Sequence, residues 1–445
     1  MNDFIAARSQ MAVSLIFHII FSCIGMAMPF FMATSHYIWL RTGDVIYKRI
    51  TIAWSKGVAI FFATGAVSGT VLSFELGLLW PTFMKHAGPI FGLPFSLEGT
   101  AFFIEAIALG FYAYGWGRFN KWFHWFTGLV VGISGLVSAI LVVAANSWMN
   151  NPSGFTFKNG HYSDIDPVKA MFNNGWFSEA LHMCLAAFAA TAFAVAGVHA
   201  LMILKKKNIL FHSKAFKIAA AFGLVASFLQ PLSGDLSARG AAVRQPAKLA
   251  AMEAHFKTQK RVPLYIGGIY DDKTQSLKYV IAVPGGLSFL VNRKFDSQVV
   301  GLDHFPVDQR PPVGIMHYAF QVMVASGMLM ALVSALYFLA RIKWKNWLKE
   351  TWLYKIYALC IPVGFIAVEA GWTVTEVGRQ PWIIQGIMRT SEAVTPIPGV
   401  QFSFYAFTAV YFTLALMVIF MLYRQIKRVS YTDHEDNKLI FDKPI

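Results

Sequence analysis

The sequence predicts an all-α polytopic membrane protein, in which nine transmembrane helices form a bundle with one large external loop. Of its 445 residues, 56% are hydrophobic and only 14% are charged, whereas a typical soluble domain has about 25% charged residues. Runs of about 20 apolar residues, the length needed to cross a ~30 Å bilayer core, recur along the chain. The predicted spans are residues 11–39, 55–79, 93–116, 125–148, 178–204, 215–233, 314–340, 353–373 and 401–423.

These spans divide the chain into four regions. They are 1–233 with helices 1 to 6, the external loop 234–313, 314–423 with helices 7 to 9, and a tail at 424–445. The basic residues that give the net charge of +15 lie in short clusters between apolar runs. This pattern is typical of membrane loops and not of a nucleic-acid-binding face. Because the basic residues concentrate in one alternating set of loops, the positive-inside rule predicts an external N-terminus and a cytoplasmic C-terminus.

The external loop contains two local patterns. AKLAAMEAHFK predicts a short amphipathic helix, and KYVIAVPGGLSFLV predicts short strands or extended loop. Both patterns are separated by glycine, proline and polar residues, which favour turns. We therefore expect an irregular, partly ordered structure outside the membrane.

Several side chains inside the predicted spans are candidates for function, because a charge at membrane depth costs at least ~2.5–3.5 kcal/mol. Imidazole and thioether groups are axial ligands that haem iron accepts, so their shared depth predicts a redox centre near the outer face. The alternatives are helix–helix hydrogen bonding for each His or Glu, and simple packing for the Met. The candidates in the outer half are His18, Glu98, His182, Met323 and Glu369, and Glu105 lies near the middle.

Four other residues near the ends of spans are predicted to lie at the membrane interface or beside a cofactor. His36 and His124 are predicted to be interfacial and solvated. In GRQPW, Arg379 is a natural partner for a haem propionate, because its planar fork binds carboxylates bidentately; an ordinary interfacial arginine is the alternative. Trp372 fits an interfacial aromatic belt and is counted with Arg379 as a candidate cofactor contact.

The whole chain resembles subunit I of the cytochrome bd quinol oxidases. GRQPW together with KLAAMEA is specific to that family. The matching motifs are RSQMAVSLIFHIIF, PFSLEGTAFFIEA, VVAANSWMNNP, SGDLSA, KLAAMEA, AFQVMVASG and VEAGWTVTEVGRQPW. The external loop corresponds to the short form of the family's "Q-loop".

This resemblance implies a set of haem ligands. His182 and Met323 match the axial pair of a low-spin haem b. His18 and Glu369 match ligands of two high-spin haems, one haem b and one haem d, with haem b in place of haem d as the alternative. Glu98 matches a carboxylate at the same di-haem site. Which high-spin haem each ligand serves is left open.

The resemblance also implies a quinol site and a proton route. Lys248 and Glu253 match the quinol-site pair of the Q-loop, and Glu105 matches a residue on the proton route. Gln321 is a departure, because the family often has arginine two positions before the ligand methionine. A second departure is the spacing of seven between Glu98 and Glu105, since some members have eight.

The implied activity is quinol oxidation at the outer face of a bacterial or archaeal cytoplasmic membrane, with reduction of O₂ to water. Protons would come from the cytoplasm, so a membrane potential would form without pumping. The implied partners are subunit II, with or without a small accessory subunit, together with quinol (ubiquinol or menaquinol), O₂ and membrane lipid. The alternatives are an ion-coupled transporter and a membrane cytochrome b that does not reduce O₂; a visible spectrum would separate these three classes.

Overall fold

The computed structural model describes residues 2–158, 160–344 and 351–431. Within these ranges the chain is mostly helical. The helices are α1 (Asp3–Thr42), α2 (Val45–Leu79), α3 (Pro81–Tyr114), α4 (Lys121–Asn150), α5 (Pro167–Met171), α6 (Trp176–Leu204), α7 (Ile209–Arg244), α8 (Pro246–Met252), α9 (Gly286–Asn292), α10 (Val313–Ile342), α11 (Trp352–Leu359), α12 (Val363–Val377), α13 (Thr390–Ala393) and α14 (Val400–Tyr431).

Nine helical segments in the described part of the chain are long and apolar enough to cross a membrane, which confirms the predicted number of spans. Helices α11 and α12 together form one of them, interrupted before Val363 because Pro362 has no backbone N–H to continue the ladder. The helices extend beyond the predicted spans. Helix α1 has 40 residues, or ~60 Å at 1.5 Å per residue, against a bilayer core of ~30 Å.

Two predicted region boundaries differ from the helix ends. Helix α7 continues past residue 233 to Arg244, and α14 continues past residue 423 to Tyr431. Apolar length predicts only the part of a helix inside the bilayer, whereas the backbone hydrogen-bond ladder continues into water. The predicted tail residues 432–445 lie outside the described residues.

The helices pack in two groups. Helices α1 to α4 contact one another in sequence, and α6, α7, α10 and α12 form a second group. Helix α6 joins the groups, because it also packs on α1 and α4, while α14 covers α1 and α2. Glycines allow this close packing: a Cβ atom on Gly364 of α12 would lie 2.3 Å from the Cα of Ala190 on α6.

In the described ranges, short strands form five two-stranded antiparallel ribbons, all in the connections between membrane helices. They pair as β1 with β2, β3 with β8, β4 with β7, β5 with β6 and β9 with β10. The strands are β1 (Thr156–Lys158), β2 (His161–Ser163), β3 (Gln259–Lys260), β4 (Leu264–Ile266), β5 (Ile269–Asp271), β6 (Ser276–Lys278), β7 (Ile281–Val283), β8 (Gln298–Val299), β9 (Trp382–Ile384) and β10 (Met388–Arg389).

The connection between α7 and α10, residues 245–312, is the large loop, which we call the Q-loop; the end of the bundle that bears it is the loop side. The predicted helix in AKLAAMEAHFK is confirmed as α8. The prediction for KYVIAVPGGLSFLV is correct for β7 but wrong for GLSFLV, which forms α9. Gly285 there has φ +68°, a left-handed conformation that ends the strand and starts the helix.

Candidate functional site

His182 on α6 is held by side chains of the neighbouring helix α7. Its Nδ1 lies 3.0 Å from the Ser233 hydroxyl, and the Gln230 amide nitrogen lies 3.2 Å from its Nε2. A Cβ atom on Gly234 would lie 3.4 Å from the ring. A hydrogen bond to one ring nitrogen orients a histidine that binds metal through the other. Ser233 can orient the ring through Nδ1, and Nε2 suits an axial ligand once the Gln230 amide turns away from it.

Met323 on α10 faces the glycine of the VEAGW motif. A Cβ atom on Gly371 of α12 would lie 3.1 Å from its sulfur. Helices α6 and α7 around His182, and α10 and α12 around Met323, belong to the same helix group. The fold therefore brings the helices of the predicted low-spin pair together.

His18 on α1 has a similar setting in the other helix group. Its Nδ1 lies 2.9 Å from the Ser68 hydroxyl on α2, and its Nε2 lies 2.8 Å from the hydroxyl of Ser22, one turn along α1. A Cβ atom on Gly69 would lie 3.1 Å from the ring. Ser68 orients the ring, while Ser22 can rotate away from Nε2.

These surroundings fit haem groups by two tests. First, each predicted iron ligand among the His and Met residues faces a glycine, which leaves space beside it. Second, several enclosed polar atoms have no partner in the described residues, although buried polar groups are normally hydrogen-bonded. They are Oε1 of Glu369, the indole nitrogen of Trp372, and Nε and Nη1 of Arg379.

Arg379 is 3% exposed, although it lies just beyond the end of α12. One of its nitrogens binds the Glu376 carboxylate at 2.5 Å, and the other oxygen of Glu376 accepts a bond of 2.6 Å from Asn146. Two of its three nitrogens remain for a carboxylate such as a haem propionate. Sequence analysis missed Glu376, although it lies in the same VEAGWTVTEVGRQPW motif as Glu369.

The place of Trp372 in an interfacial aromatic belt stays a prediction. Its side chain is partly buried and packs against a cluster of buried residues from α1, α6 and α12, among them Ile19, Ala187 and Val368. Its position between the two helix groups still suits a contact to a cofactor.

Glu98 and Glu105 lie on α3 and face α4. The Ser138 hydroxyl donates to Glu98 at 2.8 Å. Glu105 is buried, and a Cβ atom on Gly135 would lie 3.3 Å from both of its carboxylate oxygens. No cation of the described ranges lies within ion-pair distance of either carboxyl, so both are surrounded by hydroxyl, glycine and apolar groups.

Lys248 lies on α8, at the start of the Q-loop, and its side chain is buried. Its ammonium donates to Asn150 at 3.0 Å and to Gln245 at 3.2 Å. An ammonium has three N–H donors, so one is left for a substrate oxygen. Burial lowers the pKa of Lys248 to about 8, against the opposing charge of Glu179.

Glu253 caps the C-terminal end of the same helix and is 3% exposed. Burial raises the pKa of its carboxyl to about 8, and its Oε2 atom has no partner in the described chain. Lys248 and Glu253 are five residues apart, so they are ~140° apart around the helix and do not bind each other directly. Their side chains therefore lie on different faces of α8.

The last turn of α4 connects this loop region to the membrane site. Asn150 holds Lys248, Asn146 holds Glu376, and Asn151 bonds Glu179 at 3.2 Å. All three asparagines of the motif VVAANSWMNNP therefore bind charged residues, and Asn151 also accepts a 3.0 Å bond from Arg244. Its pattern in the sequence gave no indication of these partners, because they come from α6, α7, α8 and α12.

Gln321, which stands where the family often has arginine, has a structural role. Its amide binds Q-loop backbone, with 3.1 Å bonds to Gly267 N–H and to the Tyr265 carbonyl. One turn earlier on α10, His317 lies 3.0 Å from the Met252 carbonyl. These bonds fix the Q-loop to α10.

The fold and the site together define a polytopic membrane protein with partly buried imidazole, thioether and carboxyl groups around spaces suited to haem. The family described as cytochrome bd terminal oxidase subunit I matches residues 6–430, and the chain belongs to this family. This confirms the resemblance and the activity class, a quinol oxidase (quinol:O₂ oxidoreductase). Membership implies haem cofactors, a subunit II, and a location in a bacterial membrane.

Similar proteins support this conclusion. A putative cytochrome bd menaquinol oxidase subunit I from Bacillus subtilis is 36% identical over 430 residues, covering 95% of this chain and 96% of that protein. A cytochrome bd ubiquinol oxidase subunit 1 from the same organism is 32% identical and covers 98% and 96%. The bd oxidase structure from Geobacillus thermodenitrificans matches with a TM-score of 0.91 and 36% identity, covering 96% and 99%.

Proposed function

We propose that this subunit oxidises quinol on the loop side, at the outer face of the membrane, and takes protons for O₂ reduction from the opposite, cytoplasmic side. Charge then crosses the membrane without a proton pump. The observation that carries this proposal is the separation of two acid sites. Glu253 lies outside the membrane helices, whereas Glu105 is buried within α3.

At the quinol site, the free N–H of Lys248 would hold one quinol oxygen. Glu253, without a cation beside it, would accept a proton from the quinol and release it on the loop side. Asn150 and Gln245 hold the ammonium in place during this step. Ubiquinol and menaquinol both offer the oxygen and the proton that this chemistry needs.

The cofactors we propose are a low-spin haem b and two high-spin haems, one b and one d, or b in place of d. His182 and Met323 would hold the first, while His18 and Glu369, with Glu98 beside them, would hold the others. When bound, the haems supply electron transfer and the iron at which O₂ is reduced. Arg379 would bind a propionate through its free nitrogens, and Trp372 would pack beside a macrocycle.

Glu376 is the alternative to Glu369 as the carboxylate ligand. The unpartnered oxygen of Glu369 favours Glu369, since both oxygens of Glu376 already have protein partners. In contrast, Glu376 lies next to Arg379, where a propionate is proposed. The two residues are seven apart on α12, so they lie on nearly the same face.

Glu105 would relay protons toward the haem site through Glu98. These residues are two turns apart on one face of α3. A carboxyl group both donates and accepts a proton, and apolar surroundings without a cation keep it from being fixed as one half of an ion pair.

The proposed partners are subunit II, a small accessory subunit and membrane lipid. The side chains of α3 that point away from α4 are apolar and exposed, which suits lipid or a membrane helix of a partner. They include Phe103, Ile104, Ile107 and Phe111. The proposed orientation follows from the basic loops, among them Lys205, Lys206 and Lys207 on the side opposite the Q-loop.

Substitution of the low-spin pair tests this function. We expect His182→Ala and Met323→Leu each to abolish the low-spin haem b absorption and quinol oxidation, because an axial ligand is lost. A reduced-minus-oxidised spectrum and quinol-driven O₂ consumption measure both. Val322→Leu, next to the ligand, is the matched control. Unchanged low-spin spectra in both variants would refute the assignment.

A further inference from the structure

A buried cluster of two imidazoles and a phenol lies at the end of the bundle opposite the Q-loop. His36 of α1 and Tyr112 of α3 are 0% exposed, and His124 of α4 is 4% exposed. The prediction that His36 and His124 are solvated is therefore wrong. The rings of Trp39 and Trp116 stack on His36, each with a centroid distance of 5.4 Å.

The hydrogen bonds of this cluster leave one nitrogen unused. His36 Nδ1 lies 2.9 Å from the Tyr112 hydroxyl. His124 donates from Nε2 to the Tyr112 backbone carbonyl at 2.8 Å, and its ring stacks on the tyrosine. His36 Nε2 is enclosed and has no partner in the described residues. A buried ring nitrogen without a partner is a place where a proton or a water molecule can bind.

Tyr112 continues the spacing of the two acids on α3. Glu98, Glu105 and Tyr112 follow one another at intervals of seven residues, which is two turns or ~10.5 Å along the axis. All three therefore lie on one face of the helix. The side chain of Tyr112 leans toward the N-terminal end of α3, which is the direction of Glu105.

The facing helix has a small residue opposite each of these three side chains. On α4, a Cβ atom on Gly128 would lie 2.5 Å from the Tyr112 ring. Gly135 faces Glu105 in the same way, and Ser138 binds Glu98. The small residues of α4 thus let all three side chains of the series lie directly against the facing helix.

We propose that His36 and Tyr112 form the proton-uptake station of the Glu105 route, with His124 as a positioning residue. A proton arrives on Nε2 of His36 while the Nδ1 proton passes to the Tyr112 oxygen. The hydroxyl proton of Tyr112 leaves toward Glu105, through water across the remaining gap. One proton enters and one leaves, with no change of oxidation state. This inference rests on the proposed function, which assigns the relay to Glu105.

Tyr112→Phe in the complete oxidase tests this station, because it removes the hydroxyl and keeps the ring. We expect proton uptake during the reaction of the reduced enzyme with O₂ to slow on the order of 10-fold. This is less than the ~10²-fold typical of a positioned acid–base group, because water can partly replace a hydroxyl. Haem spectra and haem reduction by quinol should stay as in the unmodified enzyme. A pH-indicator dye in vesicles measures the uptake.

Tyr357→Phe is the matched control, since Tyr357 is 1% exposed and lies near the same end of the bundle, on α11. It should leave proton uptake unchanged. Unslowed uptake in Tyr112→Phe would overturn the station. If Tyr112→Phe loses haem, His36→Asn decides: asparagine keeps a bond to the Tyr112 hydroxyl but has no second titratable nitrogen, so the same slowing is expected and normal uptake overturns the proposal.

The Glu105→Gln variant separates this inference from the proposed function. Slow uptake in Glu105→Gln with normal uptake in both Tyr112→Phe and His36→Asn would refute the station alone. Normal uptake in all three variants would refute the Glu105 route as well.

Discussion

Helices α3 and α12 each carry two glutamates seven residues apart, but in different surroundings. On α12, Glu376 is paired with Arg379 and bonded by Asn146. On α3, Glu98 accepts a bond from a serine hydroxyl, and Glu105 faces a glycine. The arginine fixes the geometry of the acid on α12, whereas neither acid on α3 has a cation within ion-pair distance in the described chain. On the function proposed above, the same spacing would serve cofactor binding in one helix and proton transfer in the other.

The largest expected effect concerns α12. We expect Glu369→Gln to remove one high-spin haem, because an iron ligand is lost. Glu376→Gln should be milder, with haem affinity reduced by ~10–100-fold as is typical for a residue that orients a ligand. Pyridine haemochrome analysis and high-spin haem spectra of the purified complex measure both. Haem loss in Glu376→Gln together with full haem content in Glu369→Gln would transfer the ligand role to Glu376.

The second-largest effect is expected for the acid in the middle of α3. We expect Glu105→Gln to slow proton uptake and turnover on the order of 10²-fold, while haem reduction by quinol stays fast. Glutamine keeps hydrogen bonding but cannot carry a proton. Time-resolved absorption after mixing with O₂ separates the two steps. Normal turnover and normal charge translocation would show that Glu105 only bonds a neighbouring helix.

The sequence predicted the spans well, because apolar length directly reflects bilayer thickness. It also singled out His18, His182 and Met323 as candidate ligands, since polar groups and matching motifs stand out in apolar runs. It missed the contacts of Glu376 and of the α4 asparagines, because these contacts depend on residues from other helices. It placed His36 and His124 in solvent, because the shielding by Trp39 and Trp116 is a property of packing that no local pattern contains.

The Q-loop acid Glu253 extends the comparison outside the membrane. Like Glu105, it is buried without a cation within ion-pair distance in the described chain, and burial raises its pKa to about 8. Below that pH the carboxyl is protonated and cannot accept a proton from quinol. Lys248, whose pKa burial lowers to about 8, loses its charge above the same pH. Raising the pH therefore supplies the carboxylate base of Glu253 but removes the ammonium charge of Lys248, and these two changes have opposite effects on quinol oxidation.

We expect the rate of quinol oxidation to rise from pH 6 toward pH 8, by as much as about 10-fold per unit where the base form is scarce, and to fall above pH 8. Glu253→Gln should lower the rate and abolish the rising limb, because no carboxylate forms, while haem content stays intact. Lys248→Ala should weaken quinol binding, also with intact haems, and remove the fall at high pH. Steady-state kinetics over pH 5.5 to 9.5, combined with haem spectra, measures these effects. The control is Glu392→Gln, which changes an exposed acid on α13. An unaltered rising limb in Glu253→Gln would show that another group accepts the quinol proton, and haem loss would place Glu253 at a haem instead.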